Sequence, residues 1–408
     1  MLTGPLAGVR VVDLSQIVSG PMATCILAEQ GADVVKVESS SGDPIRALGP
    51  RKGDLSAMFI AVNHGKRGLA LDLKRPEALA VLEKLIVQSD VLVENFRPGV
   101  IERLGCGYDR CRELNPRLIY ASINGFGPDG PYANIRVYDP VVQAVSGLAA
   151  LQAGSDSVPQ LMRTLIADKT TALTAAQAIT AALFARERSG VGQRIDIAML
   201  DAAIAFAWPD GMWNDTFLDE APTPWPTYGS QMRLWTAADG QVAVGALQNS
   251  EFQALCEAVA RPDLAADPRL ATVGGRNMHR ADWTPALSAA VKAMSVDALM
   301  AEFIRTGAVG GRVNSVADVV SDPQVVHNKT VAAVDHGAIG RVAMPRGAAR
   351  FSQGSSVPGV APTLGEQGIV ILRELGHTDD EIAFLISTGC VIAPPQCGRP
   401  IRLTFRSP

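Results

Sequence analysis

Short runs rich in β-branched residues alternate with stretches of helical periodicity between residues 9 and 124, and this alternation restricts the possible folds more than any other feature. The runs VRVVDL, DVVKVE, DVLVENF and RLIYASI predict strands. Apolar residues at helical spacing lie between them, for example Leu82, Leu85 and Ile86. Strands joined by helical crossovers form a parallel sheet, so the pattern predicts an α/β fold that binds ligands beyond the carboxyl ends of its strands.

The chain divides into two predicted domains. Its 408 residues exceed what one hydrophobic core usually holds. The composition changes at APTPWPTYG, so we place a large domain at 1–220 and a small domain at 226–318, where strand patterns flank an Asp-Gly turn. Residues 391–408 show no periodicity and are predicted to be a C-terminal tail.

Charge and composition argue against several classes of partner. The formal net charge is −4, which does not favour binding to nucleic acid. No apolar run has the length of a membrane span and no signal peptide is recognisable, so we expect a soluble, cytoplasmic protein without a membrane partner. The 6 cysteines and 5 histidines form no spacing typical of a zinc site, so no metal is expected.

The common nucleotide and hydrolase motifs are missing from the sequence, but cations cluster near predicted strand ends. There is no GxGxxG after the first strand, no GxxxxGK[ST] and no GxSxG. Several cations could together bind a multiply phosphorylated ligand, and solvated surface charge is an equally good interpretation of any one of them. These cations are Lys66, Arg67, Lys74, Arg97, Arg103 and Arg136.

Asp168 stands where an apolar run gives way to an alanine-rich helix pattern that continues to Arg188 and ends at Gly190. Aspartate is a preferred residue at the N-cap of a helix. It can also act in catalysis, where a helix N-terminus stabilises its negative charge. The residues alone leave both roles open.

Several motifs in order resemble those of one family. GVRVVDL, GADVVKVE, LDLK, VENFRPG, NPRLIYASINGFG, YDP and GQRIDIAMLDA are together similar to the class III CoA-transferase (CaiB/BaiF) family, which includes CoA-transferases and alpha-methylacyl-CoA racemases. The resemblance is dense over residues 4–205 and weaker to about 389. It implies a Rossmann-like large domain completed by about 330–390, a smaller α+β domain and an interlocked homodimer.

The same resemblance implies a site. Asp168 would be the nucleophile, and coenzyme A would be a substrate carrier rather than a prosthetic group, with an acyl-CoA donor and a small carboxylic acid acceptor. A carboxylate is already ionised at neutral pH, so it needs no general base to attack a thioester. The positions that the resemblance assigns to CoA binding are Val18, Ser19, Leu71, Asp72, Leu73, Lys74, Asn95, Phe96, Arg97, Arg103, Arg136, Val137, Tyr138, Asp139 and Pro140.

Alternatives to CoA transfer are a racemase and a CoA-binding protein without catalysis. The racemase branch has a histidine where this chain has Tyr138 and a glutamate where it has Gln248, and neither side chain here is a good acid or base near neutral pH. These differences favour the transferase branch. Arg46, Arg51 and Lys52 could pair with the second carboxylate of a dicarboxylic acid, and solvent exposure explains them equally well.

Overall fold

The computed structural model describes residues 4–153, 157–219, 222–353 and 358–392. These residues form two compact units. The first comprises the chain up to Thr216 together with the chain from Lys329, and the second comprises Phe217–Asn328. Among the described residues, no helix is long and apolar enough to cross a membrane.

A parallel sheet of six strands forms the centre of the first unit, in the order β3-β2-β1-β4-β5-β6. The strands predicted from the sequence are confirmed, and β3 and β6 join them at the two edges. The order reverses between β1 and β4, which is where doubly wound sheets of this kind bind their ligands. The strands are β1 (Arg10–Asp13), β2 (Asp33–Glu38), β3 (Arg67–Ala70), β4 (Val91–Glu94), β5 (Ile119–Asn124) and β6 (Gln193–Ala198).

Helices cover both faces of the sheet because its strands carry apolar side chains on both sides. In β1, Val12 packs into one core cluster with Leu82 and Ile86, and its neighbour Val11 packs into the opposite cluster with Leu27 and Ile179. The helices up to Thr216 are α1 (Ser19–Glu29), α2 (Ala57–Asn63), α3 (Pro76–Val87), α4 (Val100–Arg103), α5 (Tyr108–Leu114), α6 (Asp139–Val145), α7 (Leu148–Leu151), α8 (Ile166–Ser189) and α9 (Met199–Gly211).

Helix α8 differs from its predicted start. Gly190 ends it in the left-handed conformation, with φ of 74°, as the sequence predicts. The helix begins at Ile166 and its N-cap is Leu165, so Asp168 lies inside the first turn. The N-cap interpretation of Asp168 is therefore wrong, because the apolar residues before it already have helical geometry.

The second unit has its own hydrophobic core. Trp235, Phe252, Leu287 and Phe303 are buried in one cluster. The Asp-Gly turn joins antiparallel strands, as predicted, in a sheet with the strand order Val309–Arg312, Gln241–Gly245, Leu234–Thr236. Its helices are α10 (Tyr228–Gln231), α11 (Asn249–Ala258), α12 (Pro262–Ala265), α13 (Val273–Met278), α14 (Arg280–Lys292), α15 (Val296–Thr306) and α16 (Pro323–His327).

After the second unit the chain returns to the first. Its first element there is a hairpin of the antiparallel strands Val331–Asp335 and Arg341–Pro345. Helices α17 (Gly368–Glu374) and α18 (Asp379–Ser387) then contribute Leu372 and Leu385 to the core cluster that contains Val12.

The predicted tail at 391–408 begins inside the fold. Val391 is buried and forms an antiparallel bridge with Leu71, because its apolar side chain belongs to the core under β3. Residues 393–408, the rest of the predicted tail, lie outside the described residues.

Candidate active site

A cavity of about 780 Å³ lies at the carboxyl ends of β1, β4, β5 and β6. Gln16 and Ser19 follow β1, Asn95 and Arg97 follow β4, and Asn124 closes β5. This is the edge of the sheet at which the sequence predicts a ligand. The carboxylate of Asp168, from the first turn of α8, lines the same cavity.

Asp168 is held close to a second carboxylate. Asp168 as a residue is 8% exposed, and its backbone N–H donates to Oδ2 of Asp139 at 2.9 Å. Burial is the main reason that the pKa of Asp168 is raised to about 6, and the negative charge of Asp139 raises it further. At pH 7 the carboxylate is still mostly ionised, but it is more basic than an exposed aspartate.

Asp139 is fixed by the segment that leads into α8. It is the first residue of α6, and its Oδ1 accepts a hydrogen bond from Nε2 of Gln143 at 2.5 Å. The other amide atom of Gln143, Oε1, accepts from the backbone N–H of Met162 at 2.8 Å. Gln143 thus connects α6 to Met162, before the start of α8, and Asp139 connects α6 to Asp168, after it. These two connections set the position of Asp168.

Ser19 supplies donors to the same carboxylate. It is the first residue of α1, it is buried, and hydrogen bonds from its hydroxyl and its backbone N–H to Asp168 lower the pKa of that group. The N-terminus of α1 carries partial positive charge. Donors at this position can stabilise negative charge on a carboxylate or another oxyanion in the cavity.

Three arginines line the cavity, namely Arg97, Arg103 and Arg136. In the part of the chain that the structure describes, none of the three has an ion-pair partner. Guanidinium groups bind phosphate oxygens through charge-assisted hydrogen bonds, so this wall of the cavity suits a phosphorylated ligand.

Two of the predicted ligand-binding cations have structural roles instead. Lys66 is fully buried, and its ammonium group pairs with Asp13 at 2.8 Å. Arg67 pairs with Asp33 at 2.6 Å and with Glu374 at 2.9 Å. The prediction that these side chains bind a phosphorylated ligand is wrong, because carboxylates of the fold already hold their charges.

The structure brings only part of the predicted CoA contacts together. Ser19, Asn95, Phe96, Arg97, Arg103, Arg136, Val137 and Tyr138 line the cavity. The side chains of Val18 and Leu71 belong to the hydrophobic core, and Asp139 is buried behind Asp168. Asp72, Leu73 and Lys74 follow β3, and they and Pro140 are not among the lining residues.

Sequence analysis missed other residues of the cavity wall. Gln16, Ile17, Asn124, Gly125 and Met199 line it as well. The available signal was their position, since each lies at or just after the carboxyl end of a strand of the parallel sheet.

Arg46 is not available to a substrate. It is buried, its Nε and one terminal nitrogen contact the two carboxylate oxygens of Glu38 at 2.9 and 2.6 Å, and its guanidinium lies 3.7 Å from the ring centroid of Phe59. The hypothesis that Arg46 pairs with a dicarboxylic acid is therefore wrong. Arg51 and Lys52 of the same loop are exposed, and the ammonium group of Lys52 donates to the carbonyl of Ile339.

The two positions that carry a histidine and a glutamate in the racemase branch, Tyr138 and Gln248 here, do not form an acid–base pair. Tyr138 is 70% exposed at the cavity wall. Gln248 lies in the second unit, where it caps α11 in a reciprocal arrangement with Glu251.

Among the described residues, no group of three or more His, Cys, Asp and Glu side chains could hold a metal ion.

Comparison with known sequences gives consistent results. A sequence profile described as "CoA-transferase family III" matches residues 6–368. The chain is 32% identical over 394 residues to the succinyl-CoA:glutarate CoA-transferase of Homo sapiens, covering 95% of this chain and 90% of that protein. It is 33% identical over 377 residues to the acetyl-CoA:oxalate CoA-transferase of Acetobacter aceti, covering 91% of this chain and 96% of that protein.

A solved structure has the same fold. The crystal structure of a CaiB/BaiF family protein from Brucella suis superposes with a TM-score of 0.77 at 32% sequence identity. The superposition covers 91% of this chain and 100% of that one.

Proposed function

The chain belongs to CoA-transferase family III, and from this premise we propose that it moves CoA from an acyl-CoA thioester to a free carboxylic acid through a covalent intermediate on Asp168. One observation carries the proposal. The buried carboxylate of Asp168 lies in a cavity that also contains arginines without an ion-pair partner among the described residues. A nucleophile and a phosphate-binding surface in one cavity suit a CoA thioester.

The first half of the reaction exchanges the acyl group for CoA on the enzyme. An Oδ atom of Asp168 attacks the thioester carbonyl, the C–S bond breaks, and a mixed anhydride and a CoA thiolate form. The thiolate then attacks the aspartyl carbonyl, which releases the donor acid and leaves an aspartyl-CoA thioester. In this proposal the hydroxyl and backbone N–H of Ser19, beside Asp168, stabilise negative charge that develops on oxygen during the exchange.

The second half repeats these steps with the acceptor. The acceptor carboxylate attacks the aspartyl-CoA carbonyl, the thiolate leaves, and a second mixed anhydride forms. Attack of the thiolate on the acceptor's carbonyl gives the new acyl-CoA and returns Asp168 to its carboxylate form. No step requires a metal or a prosthetic group, since each exchanges one carboxylate and one thiolate on a carbonyl carbon.

A labelled exchange assay tests the proposal. The protein is incubated with succinyl-CoA or acetyl-CoA and with isotopically labelled glutarate, oxalate or a monocarboxylic acid, and labelled acyl-CoA is measured by mass spectrometry. We expect label in the CoA pool. Solvent deuterium at the α-carbon of a 2-methylacyl-CoA without CoA exchange would instead indicate a racemase, and CoA binding without either reaction would indicate a binding protein.

Trapping locates the intermediate. Hydroxylamine added during turnover should attack the aspartyl carbonyl of the anhydride or the thioester, displace the carboxylic acid or the CoA thiolate, and leave a hydroxamate on Asp168. Trypsin releases Asp168 in the peptide TLIADK, residues 164–169, in which it is the only acidic side chain. A hydroxamate in this peptide supports the proposal, and modification of another residue with TLIADK unchanged would refute it.

The pH dependence of catalysis follows from the raised pKa of Asp168. Only the ionised carboxylate attacks, so kcat/KM should fall about tenfold per pH unit as the pH drops below about 6. Replacing Asp139 by asparagine keeps an acceptor for the Asp168 N–H but removes the neighbouring negative charge, which lowers the pKa of Asp168. The acid limb of the kcat/KM profile should then move to lower pH. A wild-type limb near 4, the range of an exposed aspartate, would contradict the assignment of Asp168.

The oligomeric state is a further part of the proposal. Large apolar side chains are exposed on α8 and α9, including Leu173, Phe184 and Phe206. Exposed apolar surface of this kind favours contact with another chain, and we infer a homodimer. Light scattering coupled to size-exclusion chromatography should give twice the mass of 43.0 kDa, and a single-chain mass at micromolar concentration would contradict this.

A further inference from the structure

The loop between β1 and α1 contains a backbone conformation that its sequence disfavours. Ile17 has φ of 71°, in the left-handed region. A β-branched side chain is a poor fit there, and such outliers persist only where the surroundings enforce them. Ile17 lines the cavity, two residues before Ser19.

A buried ion pair holds Ile17. Its backbone N–H lies 3.2 Å from each carboxylate oxygen of Asp43, and Asp43 pairs with the ammonium group of Lys36 at 3.0 Å. The side chains of Asp43 and Lys36 are fully buried. Lys36 also donates to the carbonyl of Ser15. One ion pair thus fixes the loop on both sides of Gln16.

Asn95 holds Gln16, the residue between Ser15 and Ile17. Its Oδ1 accepts from the backbone N–H of Gln16 at 2.7 Å, and its Nδ2 donates to the Gln16 carbonyl at 2.7 Å. The amide therefore pairs with Gln16 as a neighbouring strand would. The start of α1 is packed closely on the loop, because a methyl group at Gly20 would lie only 2.3 Å from Cβ of Ser15.

We propose that Asn95 and the Lys36–Asp43 ion pair are positioning residues that hold the loop in its left-handed form and thereby keep Ser19 beside Asp168 in the cavity wall. This inference rests on the proposed function of Asp168. It gives Asn95 a role that does not depend on any contact with CoA. Without these anchors, Ile17 should relax to a negative φ and Ser19 should move away from Asp168.

Loss of the Ser19 donors predicts a change in titration as well as in rate. The groups that face Asp168 are Asp139, whose charge raises its pKa, and Ser19, whose hydrogen bonds lower it. The arginines of the cavity wall are the other charges of the site. If Ser19 moves away, burial and Asp139 still raise the pKa of Asp168 and nothing from Ser19 lowers it. The acid limb of the kcat/KM profile should therefore shift to higher pH.

The experiment compares two asparagines. Asn95→Ala removes the bonds to Gln16, and Asn115→Ala removes a similar set elsewhere, since Asn115 donates to the carbonyls of Ile86 and Ser89. We expect Asn95→Ala to lower kcat about 10- to 100-fold and to raise the acid limb. Asn115→Ala should change neither. An Asn95→Ala protein with wild-type kcat and acid limb, or a change in KM for acyl-CoA alone, overturns the inference.

Glycine rescue tests the strained residue itself. Asp43→Asn should lower kcat, and the double variant Asp43→Asn with Ile17→Gly should recover at least about fivefold, because glycine adopts positive φ without steric cost. If Asp43→Asn does not fold, the comparison of Asn95→Ala with Asn115→Ala decides alone. A folded Asp43→Asn protein that has lost activity and is not rescued overturns the inference.

Trapping separates this inference from the proposed function. If wild-type TLIADK is never modified by hydroxylamine, the proposed function fails. If it is modified and Asn95→Ala forms the hydroxamate at the wild-type rate, only the positioning inference fails.

Discussion

Asp168→Asn is expected to reduce CoA transfer at least about 1000-fold, because a neutral amide lacks the negative charge with which the carboxylate attacks the thioester. Binding of CoA should change little, since the arginines of the cavity wall remain. Binding is measured by calorimetry with free CoA, and transfer by isotope exchange between labelled acid and acyl-CoA. The asparagine keeps the size of the side chain and an acceptor oxygen for the donors of Ser19.

Asp201→Asn is a matched control. Asp201 is the third residue of α9, as Asp168 is the third residue of α8, but its side chain is exposed. The same chemical change at the same helix position should therefore leave the exchange rate within about twofold, as expected for a surface substitution. Exchange by Asp168→Asn at a rate near that of Asp201→Asn would rule out the covalent mechanism.

Arg46→Met is expected to destabilise the protein by about 3 kcal/mol, because it leaves Glu38 buried without its partner. The side chains of Arg46 and Glu38 are 8% and 2% exposed, and Arg46 also contacts Asp54 at 3.3 Å. Urea unfolding followed by circular dichroism measures the loss in free energy of unfolding. The relative rates with mono- and dicarboxylic acceptors should not change, since Arg46 is satisfied within the fold.

Arg51→Met provides the contrast within the same loop. Arg51 is exposed, so its replacement should cost less than about 0.5 kcal/mol. Equal destabilisation by the two variants would contradict the structural role of Arg46. A selective loss of dicarboxylate transfer in Arg46→Met at unchanged stability would restore the hypothesis that Arg46 binds substrate.

Part of the candidate site was predictable from the sequence. The strand ends that form the cavity could be found because apolar periodicity is a local property. Asn95 and Arg97 lie in the motif VENFRPG at one of those ends, whereas Asp168 lies in a helix and was suggested by the family resemblance. The sequence did not indicate which cations would pair with carboxylates of the fold and which would line the cavity. Lys66 meets Asp13, and Arg67 meets Glu374, across separations of 53 and 307 residues.

The sequence by itself determined the parallel sheet and its crossover helices, because periodicity is encoded by neighbouring residues, and the resemblance of its motifs to one family singled out Asp168 as the candidate nucleophile. Only the tertiary structure decided the electrostatic environment of Asp168. Burial and Asp139 raise the pKa of Asp168, Ser19 lowers it, and none of these effects is visible in the residues beside it. Electrostatic free energies depend on distance and solvent exclusion, and both are fixed only when distant segments pack together.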